Sequence, residues 1–487
     1  MSQRAAALLL AGLAASGAAH SQVVESPPPA ESAPPAPPEA VPPPAAAPAA
    51  ETAPLPESAP ISASRPSWGS IGALRQGAVT SGMAGSLSVG ATYSDNVGRT
   101  ETNKASDTTP EADLRFGVIE RRPNLTADVA SDLEYQEYLK HTYPSRLIGG
   151  LVGSAAVGIV PESLAWFLQD NFGQTRTNAL AVESPTNRQN VNFFTTGPDL
   201  SVPLSGPTSL LVQGRWSKAT FQVGSGDDQQ QTSGTVGLDR KLPGNSSISL
   251  DISALKTRFA ESVGIDFNVE SAYLQYEAAG RRSSVISQLG YTELHDLGHV
   301  KKQPLASVAF SRAITPRTML TLDAGTKFSD SAQLFRTTQQ LGGIVLGSND
   351  VVATSDALRS DHGALGWSFN GQRTTVQFRG DWQRDRHELY TTENRKRTGA
   401  GMSISRRLTP RVTFGIGGSV GRQKFDVLAV TLDDWWAETT LSWQVSRNFS
   451  LIANGRRYGG SGPSINLFSY TYTENRASLL LVYGATR

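Results

Sequence analysis

Six histidines are the first place to look for chemistry in these 487 residues, and two of them, His295 and His299, stand four apart. That is the spacing of paired metal ligands when both sit on one face of a helix. Here they fall in Glu293-Leu-His-Asp-Leu-Gly-His299, where Gly298 precedes the second histidine, so the segment reads as an exposed loop and not as a metal-binding helix. Gly417-Gly-Ser-Val-Gly421 matches the G-x-S-x-G pattern of a nucleophile elbow. An elbow needs a strand, a sharp turn and a helix around its serine, whereas this serine lies inside an alternating run with glycines on its own face. The last histidine is His387, which leaves no histidine in the final hundred residues to serve a barrel-rim hydrolase. With no cysteine anywhere, thiolate metal sites, disulfides and a lipidated N-terminal cysteine are excluded. Net charge is +1 with the signs mixed, unlike the basic stripe of a nucleic-acid binder. The expectation is a protein that is not an enzyme, with no cofactor, no metal and no nucleic-acid partner.

The remaining chemistry is electrostatic. Arg215, Asp251, Asp323, Gln377, Arg379 and Asp381 recur at alternate positions inside otherwise apolar-alternating segments. Ile248, Leu250, Ile252 and Ala254 alternate with Ser247, Ser249, Asp251 and Ser253. Val376, Phe378 and Trp382 alternate with Gln377, Arg379, Asp381 and Gln383 in the same way, and Val412, Phe414, Ile416 and Val420 alternate with small residues. Period two over ten or so residues describes a strand with one face in lipid and one in water. Charges on the polar face of a dry sandwich core would need partners at several kcal/mol each, whereas a water-filled lumen imposes no such requirement. These six residues are therefore candidate lumen-lining groups.

The elements that carry them repeat. Turns centred near Leu204, Leu242, Ala279, Ile314, Gly371, Leu408 and Val445 fall about every 37 residues, with one irregular unit explained by an insertion between Thr337 and Asp361. Arg312-Ala-Ile-Thr-Pro-Arg317 recurs as Arg407-Leu-Thr-Pro-Arg411. With earlier turns near Pro123 and Pro161, nine hairpins and two terminal strands make an all-β, antiparallel, up-and-down transmembrane barrel of about 20 strands, within a range of 16 to 20. The 147–160 segment is apolar but holds four glycines and stops at Pro161, so it reads as a strand. The repeat-centre turns are expected on the periplasmic side. Segments 95–110, 173–189, 224–231, 296–303, 334–361 and 457–466 are expected as outer loops. The apolar core of the longest, from Leu341 to Gly347, should fold against the barrel mouth or into the lumen. Trp216, Trp382, Trp435, Trp436 and Trp443 are expected to form an interfacial girdle.

The N-terminus reads as a signal peptide over residues 1–21: Arg4, an apolar stretch from Ala5, and small residues ending at Ala19-His-Ser21. Residues 22–84 form a Pro/Ala-rich tail, in which 15 of the 28 prolines fall between positions 23 and 66. Such a segment has no core to bury, and a disordered periplasmic spacer is expected, ahead of a barrel at 85–487. Mean hydropathy of −0.27 fits, because only half of the strand residues of a barrel meet lipid. Export, absence of a lipobox and barrel patterning together point to the outer membrane of a Gram-negative cell, with outer-membrane lipid and the barrel-assembly machinery as partners.

The first strand, from Ser86 through Tyr93-Ser-Asp95-Asn96, resembles the opening of the outer-membrane β-barrel family associated with PEP-CTERM/exosortase systems. That family's first strand ends in Tyr-x-Asp-Asn, so Tyr93, Asp95 and Asn96 are the motif residues. The Val160-Pro-Glu-Ser163 turn and Tyr472-Thr-Glu-Asn-Arg476 extend the likeness over residues 86–483. The resemblance implies an envelope component or conduit for exopolysaccharide export, with periplasmic export components as further partners. The residues themselves equally suit a general diffusion porin or a non-conducting surface scaffold.

Overall fold

The computed structural model describes residues 81–223, 228–260, 264–340, 352, 354–463 and 470–486. The chain divides into two units, Met1–Pro54 and Leu55–Arg487, and all described residues belong to the second. The expected leader, the proline tail up to residue 80 and the Leu341–Gly347 segment lie outside the described residues.

Twenty strands follow one another: β1 (Gly82–Ser94), β2 (Asp107–Arg122), β3 (Leu125–Gln136), β4 (Arg146–Val160), β5 (Leu164–Thr175), β6 (Gln189–Ser205), β7 (Thr208–Phe221), β8 (Gln229–Leu242), β9 (Ser246–Phe259) and β10 (Phe267–Ala279). The second half comprises β11 (Ser283–Asp296), β12 (His299–Thr315), β13 (Thr318–Ser329), β14 (Leu358–Asn370), β15 (Thr374–His387), β16 (Arg395–Thr409), β17 (Val412–Phe425), β18 (Val430–Gln444), β19 (Phe449–Ser461) and β20 (Tyr472–Thr486). Each pairs antiparallel with the next, and β1 pairs with β20 from Ala84↔Thr486 to Ser94↔Arg476, so the sheet closes with no free edge. The chain is a closed outer-membrane-type β-barrel. Strands of 12 to 17 residues exceed the ~9–11 needed to cross a bilayer, so they project beyond it.

All nine expected hairpin turns form at one end of the barrel. The recurring Thr-Pro-Arg turn has a physical basis. Thr409 Oγ1 accepts hydrogen bonds from the Arg411 and Val412 N–H groups at 3.2 and 3.1 Å, and Thr315 Oγ1 does the same for Arg317 at 3.2 Å. A register shift precedes each turn, between Ala313 and Thr315 and between Arg407 and Thr409. Long connections gather at the other end, with one correction. The expected outer loop at 296–303 is a two-residue hairpin turn, Leu297-Gly298, with φ of 41° and 79°. A tight turn of this kind needs two left-handed residues and usually carries Asn-Gly or Asp-Gly, and a leucine in the first place hides it from a sequence reading.

Face assignment follows exposure. On β9, Leu250 and Ile252 are 56% and 65% exposed while Asp251 between them is fully buried, so the apolar set faces outward and the polar set inward. On β17, Phe414, Ile416 and Val420 face outward and Ser419 and Gln423 inward. Trp216, Trp382, Trp435 and Trp443 lie on the outer face as expected. Trp436 does not: it alternates with outward Trp435 and packs on the inner face against Arg456, whose guanidinium lies 5.2 Å from its ring.

Candidate functional site: the loop-spanned mouth

At the long-loop end, segments from two loops cross the interior toward opposite walls. Loop 176–188 joins β5 to β6. Its Asn187 Nδ2 donates to the carbonyls of Asn178, Ala181 and Val182 at 2.9, 3.1 and 3.0 Å, so one amide folds the loop onto itself. The compacted loop presents Ala179, Leu180 and Val182 to Phe425, Val430, Leu432 and Tyr470 on the far wall. Arg99, from the connection after β1, secures it. The guanidinium is 5% exposed, donates at 2.9 Å to Glu474 Oε2 and at 3.0 Å to the Glu183 carbonyl, and lies 4.3 Å from the Tyr458 ring centroid. Burial alone would raise the Glu183 carboxyl, but Arg188, Arg99 and Arg176 hold it down to about 2. Burial likewise opposes the Arg99 charge, and Tyr472, Glu183 and Glu474 outweigh it, so this cation is held more firmly than an ordinary arginine.

The second crossing segment is α1 (Ser331–Gln340), in the connection between β13 and β14. Asp330 starts it: one carboxylate oxygen accepts the Gln333 N–H at 3.0 Å, the cap geometry that satisfies a free helix donor. The same carboxylate accepts from Gln229 and Gln231 on the inner face of β8 at 2.8 and 2.9 Å, tying helix to wall. Ala332, Leu334 and Phe335 then pack with Leu358 against Val191, Phe193, Ala219 and Phe221 on the inner faces of β6 and β7. Arg336 lies over the Phe193 ring at 5.4 Å. Burial raises the Asp330 carboxyl and lowers the Arg336 guanidinium from their ordinary values. Further along the connection, Val352 bridges to Arg176, so the two loops meet each other as well as the walls. The described part of the longest loop thus lies inside the mouth, while the Leu341–Gly347 core on which the expectation rested is outside the described residues.

Arg215, Asp251, Asp323, Gln377, Arg379 and Asp381 all lie on inner faces, but spread around the barrel rather than in one cluster. Arg215 pairs with Asp199 and donates to the Pro198 carbonyl at 2.9 Å. Asp251 accepts from Ser249 at 2.6 Å, and Asp323 stands 3.1 Å from His362 Nε2. Arg379 and Asp381 sit opposite Gly401 and Gly399, whose lack of side chains leaves them space. Sequence reasoning missed a water-exposed pair, Arg115 and Asp132, at 3.2 Å on the inner faces of β2 and β3 with exposures of 53% and 59%. The inner-face cluster of Trp436, Arg456, Tyr458 and Arg476 was also missed. Arg456 donates to Tyr458 Oη at 2.9 Å and pairs with Glu438, and Arg476 lies 5.1 Å from the Tyr458 ring. An alternation search for apolar outward residues discards inward aromatics, which is why this cluster was not found.

The motif residues serve the seam. Tyr93 faces outward at 49% exposure. Asp95 accepts from the backbone and side chain of Asn475 at 2.8 and 2.6 Å, and Asn96 Nδ2 donates to the Thr473 carbonyl at 2.9 Å. Asp95 and Asn96 thus staple the first loop to the last strand. His295 and His299 occupy the two strands of the Leu297-Gly298 hairpin, and no grouping of three or more potential metal ligands occurs among the described residues.

No family model matches the chain, and no curated protein matches it. Among solved structures, it is similar to a mutant of the ferric enterobactin receptor PfeA of Pseudomonas aeruginosa at 10% identity and a TM-score of 0.45, over 83% of this chain and 80% of that one. It is also similar to the FrpB iron transporter of Neisseria meningitidis at 9% identity and a TM-score of 0.42, over 84% and 82% of the two chains. At this level the likeness is one of barrel shape.

Proposed function

We propose that this chain is an outer-membrane conduit, narrowed by its own loops, that serves exopolysaccharide export in a PEP-CTERM/exosortase envelope system. The observation that carries the conduit reading is the contrast between the middle of the interior and its mouth. Arg115 and Asp132 remain half exposed inside the barrel, while the mouth is crossed by docked loop segments. A bore that keeps a hydrated ion pair suits hydrophilic cargo. The polymer reading is supported by the Tyr93, Asp95 and Asn96 resemblance and by the inner-face Trp436, Arg456 and Tyr458 cluster, where ring faces and charged donors together suit a hydroxyl-rich chain. Barrel-assembly machinery and periplasmic export components are the partners this reading requires.

Three measurements test it. The protein should float with outer membranes and migrate differently with and without boiling, and recovery from the soluble periplasm would end the membrane reading. In planar bilayers the purified barrel should conduct; a silent barrel favours a surface scaffold. Deleting the gene should reduce surface polymer. Unchanged polymer with reduced uptake of small hydrophilic solutes would favour the diffusion-porin reading, which the hydrated Arg115 and Asp132 pair also suits.

A further inference from the structure

The outer surface carries a charge arrangement that the conduit reading does not use. Arg384 on β15, Lys396 on β16 and Lys424 on β17 are in direct cross-strand register, Arg384↔Lys396 and Lys396↔Lys424. All three lie on the outward face, on the same alternation as Phe378 and Trp382, Met402, and Val420. Adjacent strands are ~4.8 Å apart, so three cations stand within about 10 Å of one another. Like charges directly opposite one another destabilise a sheet. Two carboxylates border the row: Asp361, opposite Arg384 in register but paired with Arg359 and Arg386 at 3.1 and 2.8 Å, and Asp426 at 3.7 Å from Arg384. Among the described residues Lys396 and Lys424 form no ion pair. Both carboxylates are engaged by arginines, and Lys396 and Lys424 stand as adjacent unpaired cations, an arrangement unfavourable for the isolated barrel and relieved by an external anion.

Height on the barrel identifies that anion. Trp382 and Arg422 lie one outward row nearer the membrane centre than the cations, and Trp435 lies one row further in, opposite Val420. Below these come Phe378, Met402 and Phe414. Outward tryptophans mark the boundary between acyl chains and headgroups. A cationic row directly above that boundary, at the long-loop end, is level with the phosphates of the outer leaflet. The same order recurs on β7, where Lys218 follows Trp216 on the outward face.

We infer that Arg384, Lys396 and Lys424 form a binding site for the phosphate groups of an outer-leaflet glycolipid. The inference rests on the outer-membrane reading above, and its test separates the two. Purified barrel in neutral detergent is titrated with diphosphorylated lipid A and with enzymatically dephosphorylated lipid A, and bound lipid is counted by native mass spectrometry. Wild type should retain the diphosphorylated form roughly tenfold or more better. R384Q/K396Q/K424Q should lose most of that preference, while K241Q/R406Q, altered at the short-turn end, should keep it. Equal binding of both lipids by wild type would overturn the site, and this arm stands even if the triple variant fails to assemble. Wild-type preference undiminished in an assembled triple variant would also overturn it, as would retention of heparin, a soluble polyanion, in preference to lipid A. A heat-modifiable, conducting preparation that fails these arms refutes only the lipid site, whereas loss of heat modification in wild type refutes the barrel reading first.

Discussion

Glu183 is the residue on which the docked state of the 176–188 loop turns, because its carboxylate faces Arg99, Arg188 and Arg176 together. Its carboxyl is held at about 2 against an ordinary 4.5, so it contributes stability that is complete above about pH 4.5 and is lost as the pH falls toward 2. We expect wild-type conductance to be steady from pH 7 to 5 and to rise reversibly between pH 4.5 and 2. Glu183→Gln leaves buried cations uncompensated, a cost of about 3–5 kcal/mol, and should show the higher conductance already at pH 7. A wild-type conductance unchanged down to pH 2 would rule out the loop as the narrowing element. A second residue-scale contrast tests the faces. Ile416, 42% exposed on the outer face, should lose roughly 2–4 kcal/mol as Ile416→Arg, while Gln377→Arg on the inner face should cost well under half of that. Equal losses in denaturant titrations of the folded barrel would mean that the strand registers are wrong.

Among elements, α1 is the one that sequence reading did not supply. The insertion between Thr337 and Asp361 was visible as a break in the repeat, but Ser331–Gln340 has a polar surface and no acidic residue in its first turn. What makes it a helix is tertiary: Asp330 caps it while bound to Gln229 and Gln231, contacts between residues about a hundred positions apart. Hairpins were legible for the opposite reason. Each is local, a short turn between two alternating runs that carries Thr, Pro or Gly except at Val445–Asn448, and the misread outer connection is the one whose turn carries Leu297. Phe335 is fully buried in the α1 packing, so Phe335→Ala should cost about 3–5 kcal/mol of docking. The heat-modifiable barrel should remain, with larger single-channel conductance and new protease sensitivity around 331–340. An unchanged bore with a freed helix would show that α1 does not narrow it.

For the whole molecule, the architecture was legible because a barrel is written twice, once in period two along each strand and once in the ~37-residue hairpin period. The interior was less so. Candidate lumen residues could be assigned to a face from alternation, but no sequence pattern reports that Arg99 meets Glu474, 375 positions away. The Pro/Ala-rich segment is expected to contribute no packed core, so removing residues 27–66 with the leader kept should leave assembled, heat-modifiable barrel in normal amount. Loss of that form would make the segment part of the fold.

The seam staple has a consequence in time. Asp95, Asn96 and Arg99 belong to the connection after β1, yet their partners Thr473, Glu474 and Asn475 lie 375 to 380 positions further along the chain. Until β20 pairs, Arg99 lacks Glu474, one of its two buried counter-charges, and the loop that rests on it is held only through Glu183 and its apolar contacts. Full docking of the 176–188 loop is therefore a signal of closure: a barrel whose last strand is unpaired can keep α1 on its wall but holds that loop without its seam anchor.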